Sequence, residues 1–118
     1  MNDSVKKYGL LALKTLAALA FLAAGLAKLS GAEVMVATFD AIGVGQWFRY
    51  VTGAIEVLGA LALFIPAVRV FGAAALAATM VGAIGAHLLI LGPSAVPALV
   101  LLIITATIAY AHRGELNR

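Results

Sequence analysis

The stretch Tyr50-Val-Thr-Gly53-Ala-Ile-Glu56-Val-Leu-Gly59-Ala-Leu-Ala-Leu-Phe-Ile65 is apolar but for Thr52 and one acid, Glu56. Read as a membrane helix, it places a carboxylate deep in hydrocarbon. A charge there costs about 2.5–3.5 kcal/mol on insertion scales, so such a residue faces a partner, a water-filled cavity or a proton path. Three side chains elsewhere are candidate partners: Lys28, Arg49 and His87.

The rest of the chain supports the bilayer as its solvent. Of 118 residues, 64% are hydrophobic and 11% charged, and the mean hydropathy is +1.12. A soluble domain carries about 25% charge, so this chain lacks the polar residues to coat a water-facing surface. Residues 1–118 leave no room for a second domain. The absence of cysteine removes disulfides, thiolate chemistry and cysteine metal sites. The net charge of +3 is too small and dispersed to serve a nucleic-acid partner. Lys6 and Lys7 precede an apolar run in the manner of a signal peptide. That run is too long for an h-region and three more apolar segments follow, so it reads as the first span.

Hydropathy and breakers predict an all-α integral membrane protein, a four-helix transmembrane bundle with spans at about 8–29, 47–65, 70–91 and 96–112. Pro66 closes the second span, Gly92-Pro93-Ser94 marks a turn, and Pro97 suits the first turn of the fourth helix. Between spans one and two, Val34, Met35, Phe39 and Ile42 recur at helical spacing, predicting a short amphipathic helix at the membrane surface. Gly53 and Gly59 flank Glu56, and Gly72, Gly82 and Gly85 thin the third span, as in tightly packed membrane helices.

Basic residues set the expected orientation. Lys6, Lys7, Lys14, Arg69, Arg113 and Arg118 fall on one side, against Lys28 and Arg49 on the other. Both termini are therefore expected in the cytoplasm, in a cell inner (plasma) membrane. At about 1.5 Å rise per residue, Lys28, Arg49, His87 and Glu56 all fall in the outer half of the bundle. Arg49, Gly53, Glu56 and Ala60 share one stripe, and Phe21, Gly25 and Lys28 form another. Lys28 or Arg49 can thus pair with Glu56, with His87 in the same cavity, and Thr52, Thr79, Gln46, Tyr50 and Trp47 are further polar contacts. Lys14 is expected to snorkel to the N-terminal side, and His112 to lie at the interface.

Chemistry is sparse. Two separated histidines and one deep carboxylate form no metal set, and there is no phosphate loop or nucleophile triad. What remains is a polar pocket in an apolar bundle, suited to a lipid-soluble molecule with a polar head, or to a proton. Lys28, Arg49 and His87 are donors for a carbonyl or phenolate oxygen; Glu56 is a proton-exchange group.

At these residues the chain resembles the DoxX-like family of small four-span bacterial membrane proteins. The carriers are Phe21-Leu-Ala-Ala-Gly25-Leu-Ala-Lys28-Leu29, Phe39-Asp-Ala-Ile-Gly43, Gly53-Ala-Ile-Glu56-Val-Leu-Gly59, Pro66 and Met80-Val-Gly-Ala-Ile-Gly-Ala-His87, between about Leu16 and Arg113. The resemblance implies functions around thiosulfate:quinone oxidoreduction, quinone or catechol stress, or, in a eukaryotic branch, receptor assembly. Its motif matches here are Lys28, Glu56 and His87. The leading expectation is a component of quinone-linked or redox-stress metabolism, binding a quinone-like ligand, as a homodimer or with redox-complex subunits. The alternative is a non-enzymatic scaffold or assembly factor. A third class is a proton-coupled exporter, disfavoured because small multidrug resistance proteins carry their key glutamate in the first span, where this chain has lysine.

Overall fold

The structure, a computed structural model, describes residues 2–92 and 94–117, and these hold five α-helices: α1 (Asp3–Ser30), α2 (Glu33–Ile42), α3 (Gln46–Ala62), α4 (Arg69–Ala86) and α5 (Val96–Ala111). Pro93 of the expected turn and Arg118 of the expected basic flank lie outside the described residues. A π-helical turn, His87–Leu91, continues α4, and a 3-10 turn, Arg113–Asn117, follows α5.

Local chemistry explains where the helices begin and end. α1 starts at Asp3, earlier than hydropathy suggested. The Asn2 side chain accepts a bond from the Ser4 N–H at 2.7 Å, and Asp3 stands in the first turn, where a negative charge complements the helix dipole. Gly31 ends α1 at φ 76°, a left-handed conformation costly for any residue with a Cβ. α3 stops at Ala62, short of the expected 65. The N–H groups of Phe64 and Ile65 turn back to the carbonyls of Leu61 and Ala62, tightening the chain before Pro66, which disfavours a helical residue ahead of it. Ser94 Oγ accepts from the Val96 N–H at 3.1 Å at the start of α5, and Pro97 takes its place in the first turn.

α1, α3, α4 and α5 close a ring of contacts, with α1 against α3, α3 against α4, α4 against α5, and α5 back against α1. Phe21, Leu63, Leu76 and Ile108 are fully buried in the half that holds the termini, with Ala17, Ala60 and Ala73 between them. The outer surface is apolar, with Leu58, Phe71 and Leu89 well exposed. Water penalises such a surface, and one this extensive marks contact with lipid or protein. Asp3–Ser30 and Arg69–Leu91 are long and apolar enough to cross a membrane; α3 and α5 are shorter.

The helices touch where side chains vanish. A Cβ on Gly25 would stand 2.7 Å from Val57 Cγ2 and 2.9 Å from the Gly53 carbonyl oxygen, while one on Gly53 would stand 3.0 Å from the Gly25 carbonyl oxygen. Backbone therefore meets backbone between α1 and α3. Gly72 does the same for α3 and α4, with Ala62 Cβ 2.7 Å from where its own Cβ would be.

Candidate functional site

The Gly25–Gly53 contact sets the geometry of the charges just beyond it. Lys28 lies three residues after Gly25 on α1, and Glu56 three after Gly53 on α3, so both fall about one turn on from the crossing. Lys28 Nζ is 2.8 Å from Glu56 Oε1; the two side chains are 13% and 2% exposed. Among the described residues no hydrogen bond reaches that oxygen, which leaves the ammonium as its partner. Of the two expected partners of Glu56, Lys28 is the one that pairs with it.

Arg49 does something else. It is 5% exposed, and its guanidinium donates to the Lys28 carbonyl and, through Nε at 2.7 Å, to Gln46 Oε1. The Lys28 carbonyl belongs to the last turn of α1, whose acceptors have no intrahelical donor, and a cation there also complements the helix dipole. Gln46 passes the network on, donating from Nε2 to Asp40 Oδ1 at 2.9 Å and to the Val36 carbonyl at 3.0 Å. Arg49 thus ties the end of α1 to α2 and α3, and stands outside the cavity that holds the other three candidates.

That cavity, about 910 Å³, lies among α2, α3, α4 and the π-helical turn, with Lys28 at its edge. Lys28, Glu56 and His87 all line it. Its volume comes from α4, which presents Ala75, Ala78, Gly82, Ala83, Gly85 and Ala86 to it. From α2, the predicted stripe of Val34, Met35, Phe39 and Ile42 lines the cavity, which is open on one side, with Val34 and Leu89 exposed at its rim. Phe48 and Ile55 add apolar wall from α3.

His87 opens the π-helical turn, where the Gly92 N–H bonds to the His87 carbonyl at 3.0 Å, a five-residue step. Such turns recur at functional sites because they re-aim a side chain. His87 Nδ1 is buried without a hydrogen-bond partner among the described residues. Thr52 and Thr79 also line the cavity, with their hydroxyl protons committed to the carbonyls of Phe48 and Ala75, both at 2.8 Å. Their oxygens keep acceptor capacity. Thr38, on α2, makes the same kind of bond to Val34 and lines the same wall. The sequence reading missed Thr38, although its spacing from Val34 and Ile42 would have placed it on the stripe.

A second polar group at the opposite end was also missed. Arg69 grips both oxygens of Glu115, and His112 Nδ1 lies 3.2 Å from Glu115 Oε2. The Arg69 hydrogen bonds, opposed in part by burial, hold the Glu115 carboxyl below the usual carboxylate range. Lys14, expected to snorkel towards the N-terminal side, buries its stem at 8% exposure while its ammonium keeps contact with solvent. It occupies the same α1 stripe as Phe21, Gly25 and Lys28, and that stripe is the one facing the bundle.

The model of the DoxX-like family matches residues 12–109, which take in Lys28, Glu56 and His87 and, from the second polar group, Lys14 and Arg69. The chain belongs to the DoxX-like family. Membership points to a membrane protein, in keeping with the two long apolar helices. No curated protein and no solved structure matches the chain. Within the DoxX-like chain, Lys28, Glu56 and His87 are the sequence candidates that line one cavity.

Proposed function

We propose that this DoxX-like protein is a four-span membrane protein that binds a lipid-soluble, quinone-like molecule in the cavity beside Lys28, Glu56 and His87, as a component of quinone-linked or redox-stress metabolism. α3 and α5 are about 24–26 Å long at 1.5 Å per residue, a few ångströms under the hydrocarbon thickness. Flanking turns and local thinning of the bilayer accommodate that difference. The basic residues favour both termini on the cytoplasmic side of the inner membrane. The chain has no cysteine, so single cysteines at Ser4 and Ser94 provide a clean test. They should react with an impermeant maleimide from opposite sides of the membrane; labelling from one side would overturn the topology.

One observation carries the ligand reading: a cavity of about 910 Å³ whose apolar walls hold an ion pair and a histidine with a free ring nitrogen. Small-molecule sites combine apolar walls with a few placed polar groups in this way. A quinone carries two carbonyl oxygens across an apolar ring. The Lys28 ammonium is a donor for one, the His87 ring for the other in the matching tautomer, and Glu56 accepts or returns a proton. Electrons would come from a partner subunit.

Gly82 offers a test that spares the fold. It lines the cavity, and a Cβ there would meet nothing within 4 Å. Gly82→Leu should fill part of the space, keep the melting temperature, and weaken binding of a short-chain quinone by about tenfold or more. Native mass spectrometry in mild detergent, on wild type and variant, reads both bound lipids and the titrated quinone. A wild type that neither carries nor takes up a quinone would sink the proposal.

A further inference from the structure

At the end of the bundle remote from the cavity, three elements bring basic side chains together: Lys14 from α1, Arg69 at the start of α4, and His112 just after α5. Among the described residues one carboxylate, Glu115, serves this group. Arg69 spends Nε and Nη2 on it, and His112 turns Nδ1 to it. Lys14 and Arg69 together outnumber Glu115 in charge, and Lys14 lies within electrostatic range of both.

Lys14 buries its stem in the bundle, at 8% exposure, while its ammonium keeps contact with solvent. No hydrogen bond or ion pair to it forms among the described residues, which leaves it open to an anion. His112 Nε2 is buried with no partner among the described residues. α4 also begins at Arg69 with no side-chain cap, so its first N–H groups add positive potential on the same side. Around them the surface is apolar, with Phe64, Val68 and Phe71 exposed. A basic cluster with an apolar skirt fits a molecule with an anionic head and an acyl body.

We propose that Lys14, Arg69 and His112 form a binding site for a phosphodiester, supplied by the headgroup of an anionic phospholipid in the leaflet on the side of the termini. Lys14 Nζ and the remaining Arg69 Nη1 donate to the non-bridging phosphate oxygens, and His112 Nε2 adds a third donor when its ring is protonated. Basic pockets between membrane helices hold headgroups in this way. The site shares no residue with the cavity, and rests on the membrane reading of the chain but not on its quinone ligand.

The test uses the full chain in a neutral detergent, titrated in parallel with phosphatidylglycerol, phosphatidylcholine and inorganic phosphate, and read by thermal melting and native mass spectrometry. Phosphatidylglycerol should bind and raise the melting temperature while phosphatidylcholine does not. Lys14→Met and Lys14→Gln should each weaken that binding roughly tenfold. Both variants remove a charge that Arg69 repels, so their melting temperature without lipid should not fall; if one fails to fold, the other decides. Lys6→Gln with Lys7→Gln, exposed on the same side, should leave the binding unchanged. Equal binding of the two lipids by the wild type, or undiminished preference in both Lys14 variants, would overturn the site. A full shift with inorganic phosphate alone would keep the phosphate site and overturn the lipid as its source.

Discussion

Lys28→Met should destabilise the bundle by about 3–5 kcal/mol, the cost of leaving a buried charge without its partner. Glu56 is 2% exposed and its side chain is short, so once Lys28 is gone the carboxylate must be buried charged and unpaired, or take up a proton. Glu56→Gln should cost less. The lysine it strands is 13% exposed on a long stem that can bend towards the interface. The double variant Lys28→Met with Glu56→Gln should recover most of the loss of Lys28→Met, because no ion remains in the interior. Denaturant titrations of the four proteins in one detergent give the coupling energy as a double-mutant cycle. Single variants each within roughly 0.5 kcal/mol of wild type would show a solvated pair, against the burial described.

The double variant also separates the two main functional readings. If the pair handles a quinone or a proton, the double variant folds but binds no quinone. If the protein is a scaffold whose charges set helix register, the double variant works as well as the wild type.

The second large effect is expected at Gly25. Two terms oppose each other there. Replacing a mid-helix glycine gains about 1 kcal/mol in helix propensity. Yet even a lone Cβ would come within 2.7 Å of Val57 Cγ2 and 2.9 Å of a backbone oxygen on α3 that has nowhere to retreat. Gly25→Leu adds three further carbons to that clash, and should cost about 3 kcal/mol or more by overpacking. It should also prise Lys28 from Glu56 and abolish whatever the pair does. Gly9→Leu is the control, because a Cβ there meets nothing within 4 Å and the change should be neutral or slightly stabilising. Melting curves of the two variants beside Gly82→Leu should rank Gly25→Leu far below the others; equal curves would mean that α1 and α3 do not approach at Gly25.

Much of this was legible in the chain because membrane helices state their business in composition. A long apolar run is hard to read otherwise, and the stripes through Gly25–Lys28 and Gly53–Glu56 follow from the helical period alone. Lys28, Glu56 and His87 were each visible as polar residues in apolar surroundings, and all three line one cavity. The role of Arg49 was not visible. Its stem is long enough to reach Glu56 or the end of α1, and the choice depends on which unsatisfied group the packing presents. The burial of the Lys14 stem was hidden for a related reason: hydropathy reports depth, whereas burial depends on which face of α1 the neighbouring helices cover.

By itself the sequence determined an apolar helical protein with a buried carboxylate, because hydrophobicity, helical period and the cost of a charge in hydrocarbon are local properties. Only the tertiary structure decided that Lys28 rather than Arg49 pairs with Glu56, that α2 lines a cavity, and that Lys14 faces Arg69 and Glu115. Those outcomes rest on how closely helix backbones approach at Gly25, Gly53 and Gly72, a distance set jointly by residues far apart in the chain.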